Sequence, residues 1–346
     1  MCGLRSITLG TTNIEQTKHF MVDILGLNYE ELLENSIRFG DADISPGTRL
    51  QFIQVPSEQL EESHFVGIGL RTPTDSGLEE YAEILSNKDI PFTTVKELNG
   101  NKYFSLEDNN GHIFSIYSNE NNYGVGLGMP SFESAVNPLH QVQGLGPVIL
   151  KVNHVDITGQ ILTNIFGLEV FAEYQPFDNA DYHVQVFKVG TGGLGGEIHL
   201  MPVETEMTMP EYGAVDQVEF ETKDADFFNQ AKSRLDEVEI PYQTLEQDDI
   251  ESIRITETVD YRLYSLYKNN FFTIVRTKFM LHETWKERTP IKKVEVINTD
   301  AKKFTVSDML TVGKQYDVIN ETEEYYQIID NSGLVGGYYK TYFKEV

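Results

Sequence analysis

Apolar and polar residues alternate along this chain in short bursts, and the bursts recur in a fixed order. Leu4-Arg5-Ser6-Ile7-Thr8-Leu9 has the two-residue period of a strand, and Asn13-Ile14-Glu15 follows as a helix start, which predicts a helix to about Ile24. Gly26 ends that helix by supplying a left-handed cap, and short strands are predicted over Ser36 to Phe39 and Arg49 to Gln54. A second stretch repeats the plan: a strand from Phe65 to Leu70, a helix from Ser76 to Asn87, and strands near Phe92, Tyr103 and Ile113. Asn109-Asn110-Gly111 is the hairpin turn between the last two. Val148 to Val152 and Gln217 to Glu221 open two further stretches with the same grammar.

Two phrases recur within this pattern. Asp23-Ile24-Leu25-Gly26-Leu27-Asn28-Tyr29 returns as Asn164-Ile165-Phe166-Gly167-Leu168-Glu169-Val170. Asp89-Ile90-Pro91-Phe92-Thr93-Thr94-Val95 returns as Glu239-Ile240-Pro241-Tyr242-Gln243-Thr244-Leu245. Repetition about 140–150 residues apart indicates a duplicated half, each half holding one unit of each kind. The expected organisation is therefore two modules in residues 1–118, an Asn-, Gly- and Pro-rich connection over 119–145, and two modules in 146–280. A linker over 281–290 and a tail of short strands over 291–346 complete it. Each module reads as βαβββ.

That grammar resembles the vicinal oxygen chelate superfamily of glyoxalases, bleomycin-resistance proteins and extradiol dioxygenases. The four-module order, Ile24-Leu25-Gly26-Leu27 and Ser45-Pro46-Gly47-Thr48 are most similar to the hydroquinone-type ring-cleaving dioxygenases. The resemblance implies an α+β fold in which the modules form two cups. It also implies a divalent metal held by two histidines and a glutamate, leaving open positions for substrate and O₂. The first family histidine sits in a Gly-Ile-His-His-Val-Thr phrase, which here reads Gly3-Leu4-Arg5-Ser6-Ile7-Thr8. The second sits in Val-His-His-Ile-Ala-Phe, here Val215-Asp216-Gln217-Val218-Glu219-Phe220. The glutamate sits in Leu-Phe-Glu-Ile, here Phe271-Phe272-Thr273-Ile274. Ser6, Gln217 and Thr273 thus stand where the resemblance puts the three ligands, and their hydroxyl and amide groups are not the donors that hold iron there.

A second group of candidate metal ligands lies in module three. With period-two alternation over Tyr182 to Phe187 and Glu197 to Leu200, His183, Gln185, Glu197 and His199 share one face and Val184, Val186, Ile198 and Leu200 the other. His183, Glu197 and His199 could then bind iron, manganese or zinc, although a plain His–Glu hydrogen bond is the commoner use of such a pair. Glu219 is a candidate pocket-lining base. Tyr261 and Tyr264 fall near the place where the family keeps a tyrosine behind its metal. The run from Gly190 to Gly196 lacks the Lys-Ser/Thr ending of a P-loop and reads as a hairpin loop.

The tail resembles a bacterial SH3-like barrel, with Asp330-Asn331-Ser332-Gly333 as a hairpin turn and Gly336-Gly337-Tyr338-Tyr339-Lys340-Thr341-Tyr342-Phe343 as its close. Tyr339 stands in place of the usual proline, so the expectation for the tail is tethering, oligomerisation or docking of a protein partner, without polyproline recognition.

Charge narrows the partners. The net charge is −27, and an acidic surface repels phosphate backbones, so nucleic acid is not expected. A single cysteine, Cys2, excludes an internal disulfide framework. No apolar run is long enough to span a membrane, and the expected location is the cytoplasm. The leading expectation is a scaffold that binds a small apolar or aromatic molecule or a protein partner, without a cofactor and without oxidative catalysis. The alternative is a ring-cleaving dioxygenase or glyoxalase-like lyase with a relocated iron, manganese or zinc site.

Overall fold

A computed structural model describes residues 3–32, 35–57, 63–176, 183–203, 216–247, 250–255, 272–277, 290–299, 306, 309–321, 325–331 and 335–346. The chain divides into two compact units, Met1–Thr277 and Lys278–Val346. Within the first unit the order strand, helix, three strands occurs four times. Module one comprises β1 (Gly3–Thr11), α1 (Ile14–His19), β2 (Asn28–Glu31), β3 (Ser36–Gly40) and β4 (Arg49–Gln54). Module two comprises β5 (Phe65–Thr72), α2 (Asp75–Asn87), β6 (Lys96–Leu98), β7 (Asn101–Glu107) and β8 (Ile113–Ser118). Module three comprises β9 (Leu145–Val152), α3 (Val155–Asn164), β10 (Glu169–Tyr174), β11 (Val184–Lys188) and β12 (Glu197–Pro202). Module four comprises β13 (Gln217–Thr222), α4 (Ala225–Glu237), β14 (Tyr242–Gln247), β15 (Ile250–Ile255) and β16 (Phe272–Thr277).

Local chemistry explains the first helix. The Asn13 side chain accepts from the Gln16 N–H and so caps the exposed donors of α1, and Thr17 turns its side chain inward. The helix continues over Phe20–Ile24 as a wider π-type turn. Gly26 then takes a φ of 74°, which a side chain would strain, and a Cβ there would also strike Ser134 and Val136.

The modules do not pair in sequence order. One eight-stranded sheet runs β14-β15-β16-β13-β1-β4-β3-β2 and joins modules one and four; the other runs β10-β11-β12-β9-β5-β8-β7-β6 and joins two and three. Each sheet is sewn at its centre by one antiparallel pair, β1 with β13 and β5 with β9, flanked by parallel pairs. One face of each sheet is apolar and packs against the helices in a single core. There Phe20 meets Phe114, and Phe166 meets both Phe220 and Phe272.

Two buried polar groups fasten the 119–145 connection. Arg71, on β5, is fully buried and donates to the carbonyls of Leu145, Val125 and Gly126 and to the Asn119 side chain. Its charge is solvated by carbonyl dipoles, and burial draws its pKa down to about 10. Tyr81, on α2, is equally buried; its hydroxyl donates to the Leu25 carbonyl at 2.7 Å and accepts from the Val142 N–H at 2.9 Å.

The second unit is a five-stranded antiparallel sheet, ordered β20-β19-β18-β17-β21. Its strands are β17 (Lys292–Val296), β18 (Gln315–Glu321), β19 (Tyr325–Ile329), β20 (Val335–Tyr339) and β21 (Phe343–Glu345). Val294, Val318, Ile328, Tyr338 and Phe343 belong to its own small core. Among the described residues no helix is long and apolar enough to cross a membrane.

Replacing Tyr81 by Phe strands a buried carbonyl and a buried N–H. The expected loss is about 1–3 kcal/mol, read as a lower urea midpoint at unchanged slope.

Candidate functional site

The polar face of the β1–β13 sheet is a cup, and its lining follows from the ladder register. Ser6 lies opposite Glu219 on β13 and beside Arg49 on β4; Glu219 lies beside Thr273 on β16, and Thr273 opposite Arg254 on β15. Directly paired residues project to the same side of a sheet. Arg254, Thr273, Glu219, Ser6 and Arg49 therefore form one row across five strands. Thr8, Gln217, Gln51 and Arg38 belong to the same face, through the pairs Thr8 with Gln217, Thr8 with Gln51, and Gln51 with Arg38. A bulge between Leu4 and Ser6 turns Arg5 into this surface as well.

Some of the guanidiniums are held and others are not. Arg5 Nη1 donates to Glu221 Oε1 at 3.1 Å, and its Nε lies 3.8 Å from Glu219 Oε2. Arg38 Nη1 donates to Glu30 Oε1 at 2.7 Å and Nη2 to Gln51 Oε1 at 3.2 Å, while its Nε is buried without a partner. Arg49 Nε donates to the Ile44 carbonyl at 2.6 Å, and its two terminal nitrogens have no hydrogen-bond partner among the described residues. Arg254 makes no hydrogen bond or ion pair among the described residues, and its Nε is buried and unpartnered. Four of the chain's nine arginines converge here.

Electrostatics record the crowding. The Arg49 guanidinium is drawn down to about 10, first by burial and then by Arg5 and Arg38. Burial raises the Glu219 carboxyl above the usual range; Arg5, Arg254, Arg38 and Arg49 pull it back without cancelling the rise.

The three positions singled out by the dioxygenase resemblance lie on this face. Gln217 Nε2 donates to Thr273 Oγ1 at 2.7 Å and contacts Glu219 Oε1 at 3.2 Å, and Ser6 and Thr273 are buried. Glu219 is thus a lining residue of the cup. Tyr261 and Tyr264 lie outside the described residues.

The histidine cluster is split. The β11–β12 register sets Val186 against His199 and Lys188 against Glu197, one step away from the alignment assumed in the sequence. Alternation holds within each strand, but the register across the glycine loop puts Glu197 and His199 with Val184 and Val186, in the cup of modules two and three. Gln185 lies on the opposite face, where a Cβ on Gly159 of α3 would come within 3.5 Å of its side-chain oxygen. His183 is exposed and contacts Gln175 at 3.4 Å. His183 and Gln185 are therefore not partners of His199. That residue is itself buried, bonded at Nε2 to Glu197 at 3.2 Å and at Nδ1 to the Tyr174 hydroxyl at 3.1 Å. Among the described residues no three His, Cys, Asp or Glu side chains converge as a metal-binding group.

Two cups built from paired βαβββ modules define a glyoxalase-type, vicinal oxygen chelate fold. A Bacillus subtilis crystal structure described as a dioxygenase superposes with a TM-score of 0.58 at 18% identity, covering 80% of this chain and 85% of that one. Glyoxalase I from Zea mays superposes with 0.51 at 12% identity, over 79% and 92%. At such identities the likeness concerns the fold alone. In sequence the chain is homologous to MhqA of Bacillus subtilis (strain 168), which bears the name of a ring-cleaving dioxygenase. The alignment runs over 211 positions at 26% identity and covers 58% of this chain but only 65% of MhqA. Residues 280–346 match DUF6501, a family of unknown function, and are 52% identical over 67 residues to the whole of the uncharacterized protein YozC of the same organism, 19% of this chain. Through that segment the chain belongs to DUF6501.

The raised Glu219 carboxyl sets a pH dependence. A group that binds its proton more tightly when folded stabilises the fold at low pH, and that stabilisation is lost as pH rises through the folded pKa. Glu219→Gln cannot ionise, so its stability relative to the unsubstituted chain should improve between about pH 4 and pH 7 in urea unfolding. A difference that stays flat or falls over this window contradicts the assignment.

Proposed function

We propose that residues 3–277 form a glyoxalase-fold binding protein whose module-one and module-four cup works without the family's metal and without oxidative catalysis. The observation that carries this reading is the chemistry of the cup. Ser6, Gln217 and Thr273 offer hydroxyl and amide groups where the resemblance calls for two imidazoles and a carboxylate, and the Gln217 amide already donates to the Thr273 hydroxyl oxygen. Four guanidiniums around the same floor oppose a divalent cation, because like charges at this range in a partly dry cup repel strongly.

The rival reading, an enzyme with a metal at His183, Glu197 and His199, keeps only the Glu197–His199 pair. It predicts O₂ uptake with a hydroquinone or catechol that His199→Ala abolishes.

The C-terminal unit we read as an SH3-like tether or docking module for a protein partner. YozC supports its autonomy, since that entire protein corresponds to this segment.

Two results are expected. Purified, dialysed protein should contain no stoichiometric iron, manganese or zinc by elemental analysis and should consume no O₂ with aromatic diols; tightly held metal or turnover would overturn the main reading. Residues 278–346 expressed alone should melt cooperatively by circular dichroism.

A further inference from the structure

We infer that the cup of modules one and four is a receptor for a small organic oxyanion, a carboxylate or phosphate ester, gripped between Arg49 and Arg254. This rests on the metal-free reading of the same cup and adds the class of ligand.

Three observations carry it. The first is concentration: a chain of net charge −27 brings Arg5, Arg38, Arg49 and Arg254 onto one concave surface, although they lie on four strands from two modules distant in sequence. Glu30, Glu219 and Glu221 offset part of this charge, and an excess of guanidinium on neighbouring strands remains, which costs stability. The second is incomplete pairing. Glu221 and Glu30 engage Arg5 and Arg38, but the terminal nitrogens of Arg49 and the whole guanidinium of Arg254 have no hydrogen-bond partner among the described residues. Of these donors Arg254 Nε is buried, where a missing partner is costly, and the terminal nitrogens are left available to a ligand that accepts their hydrogen bonds. The third is geometry: Arg254 and Arg49 end the row whose middle holds Thr273, Glu219 and Ser6. A guanidinium presents a planar fork that matches two oxygens of a carboxylate or phosphate, and both Arg254 and Arg49 are close enough to Glu219, in the middle of the row, to lower its carboxyl pKa.

Hydroxyl and amide groups on the floor suit the rest of a polar ligand. Ser6, Thr8, Gln51 and Thr273 can donate to or accept from hydroxyl groups. Glu219, in the centre, repels a second anionic group unless it is protonated or pairs with Arg5. This favours a ligand whose charge sits at its ends and whose middle is neutral or hydroxylated.

The test is calorimetric titration of the full chain, stripped on a chelating resin and with its metal content measured, using succinate and inorganic phosphate as probes and 1,4-butanediol as the uncharged match for succinate. Saturable binding of succinate, phosphate or both is expected, weakened by salt, with none for the diol; comparison of the two anions identifies the preferred group. Arg254→Gln should weaken binding at least roughly tenfold, Arg254→Lys should recover part of it, and Lys96→Gln, on an exposed strand of the other sheet, should bind as the unsubstituted chain does. Arg254 has no hydrogen bond or ion pair among the described residues and acts on Glu219 only through its charge, so Arg254→Gln without ligand should still melt cooperatively, and its binding defect should not be one of folding. Arg49→Gln is the second binding variant should Arg254→Gln fail to fold.

Metal-free protein that binds neither anion, or binds them equally well in both arginine variants, overturns this inference and leaves the metal-free reading standing. Stoichiometric metal, with anion binding that follows the metal and ignores Arg254, overturns both.

Discussion

The antiparallel seam between β1 and β13 is the constraint on which the candidate site depends. It joins the first strand of the chain to a strand more than two hundred residues later and fixes Ser6 against Glu219. Parallel ladders then carry that register outward to Arg49 on one side and Thr273 on the other. Because side chains alternate across a strand, a slip of one residue at this seam would send Glu219 into the core and Phe220 into the cup. The apolar faces resist such a slip: Ile7, Leu9, Val218, Phe220, Phe272 and Ile274 are all buried in the same core. Hydrophobic burial on one face thus sets the positions of charged groups on the other.

Those charged groups are held at a cost. Arg71 shows how the fold treats a guanidinium whose role is structural, with its donors met by carbonyls and an amide oxygen. Arg254 and the terminal nitrogens of Arg49 are not treated this way. The contrast within one molecule, between a saturated buried arginine and arginines left open in a cup, distinguishes a fastening from a receptor. The proposed metal-free reading draws on the same contrast, since a metal site would gather carboxylates and imidazoles around a cation.

Much of the fold was legible in the chain. Strand alternation, the Asn13 cap, the Gly26 stop and the Asn109-Asn110-Gly111 turn are local signals, and the structure uses each of them. The short strand over Asn28–Glu31 has no apolar rhythm to mark it in the sequence, because most of it is exposed and polar. What local signals do not contain is which modules pair and in what register. The His183 and Gln185 assignment failed on that point, since a glycine loop of adjustable length sets how β11 meets β12. The arginine cluster is hidden in the sequence for the same reason. Arg5, Arg38, Arg49 and Arg254 each sit singly in an ordinary strand, and only the sheet order brings them together. Four arginines at polar-face positions of strands in a strongly acidic chain were the one sequence signal that could have pointed to them.

The most direct test is crystallographic. Crystals grown with succinate, with diffraction recorded across the iron, manganese and zinc edges, should show an oxyanion between Arg49 and Arg254 and no anomalous peak near Ser6, Gln217 and Thr273. A metal peak there, or a cup with an ordered Arg254 turned away from an absent ligand, would contradict the account.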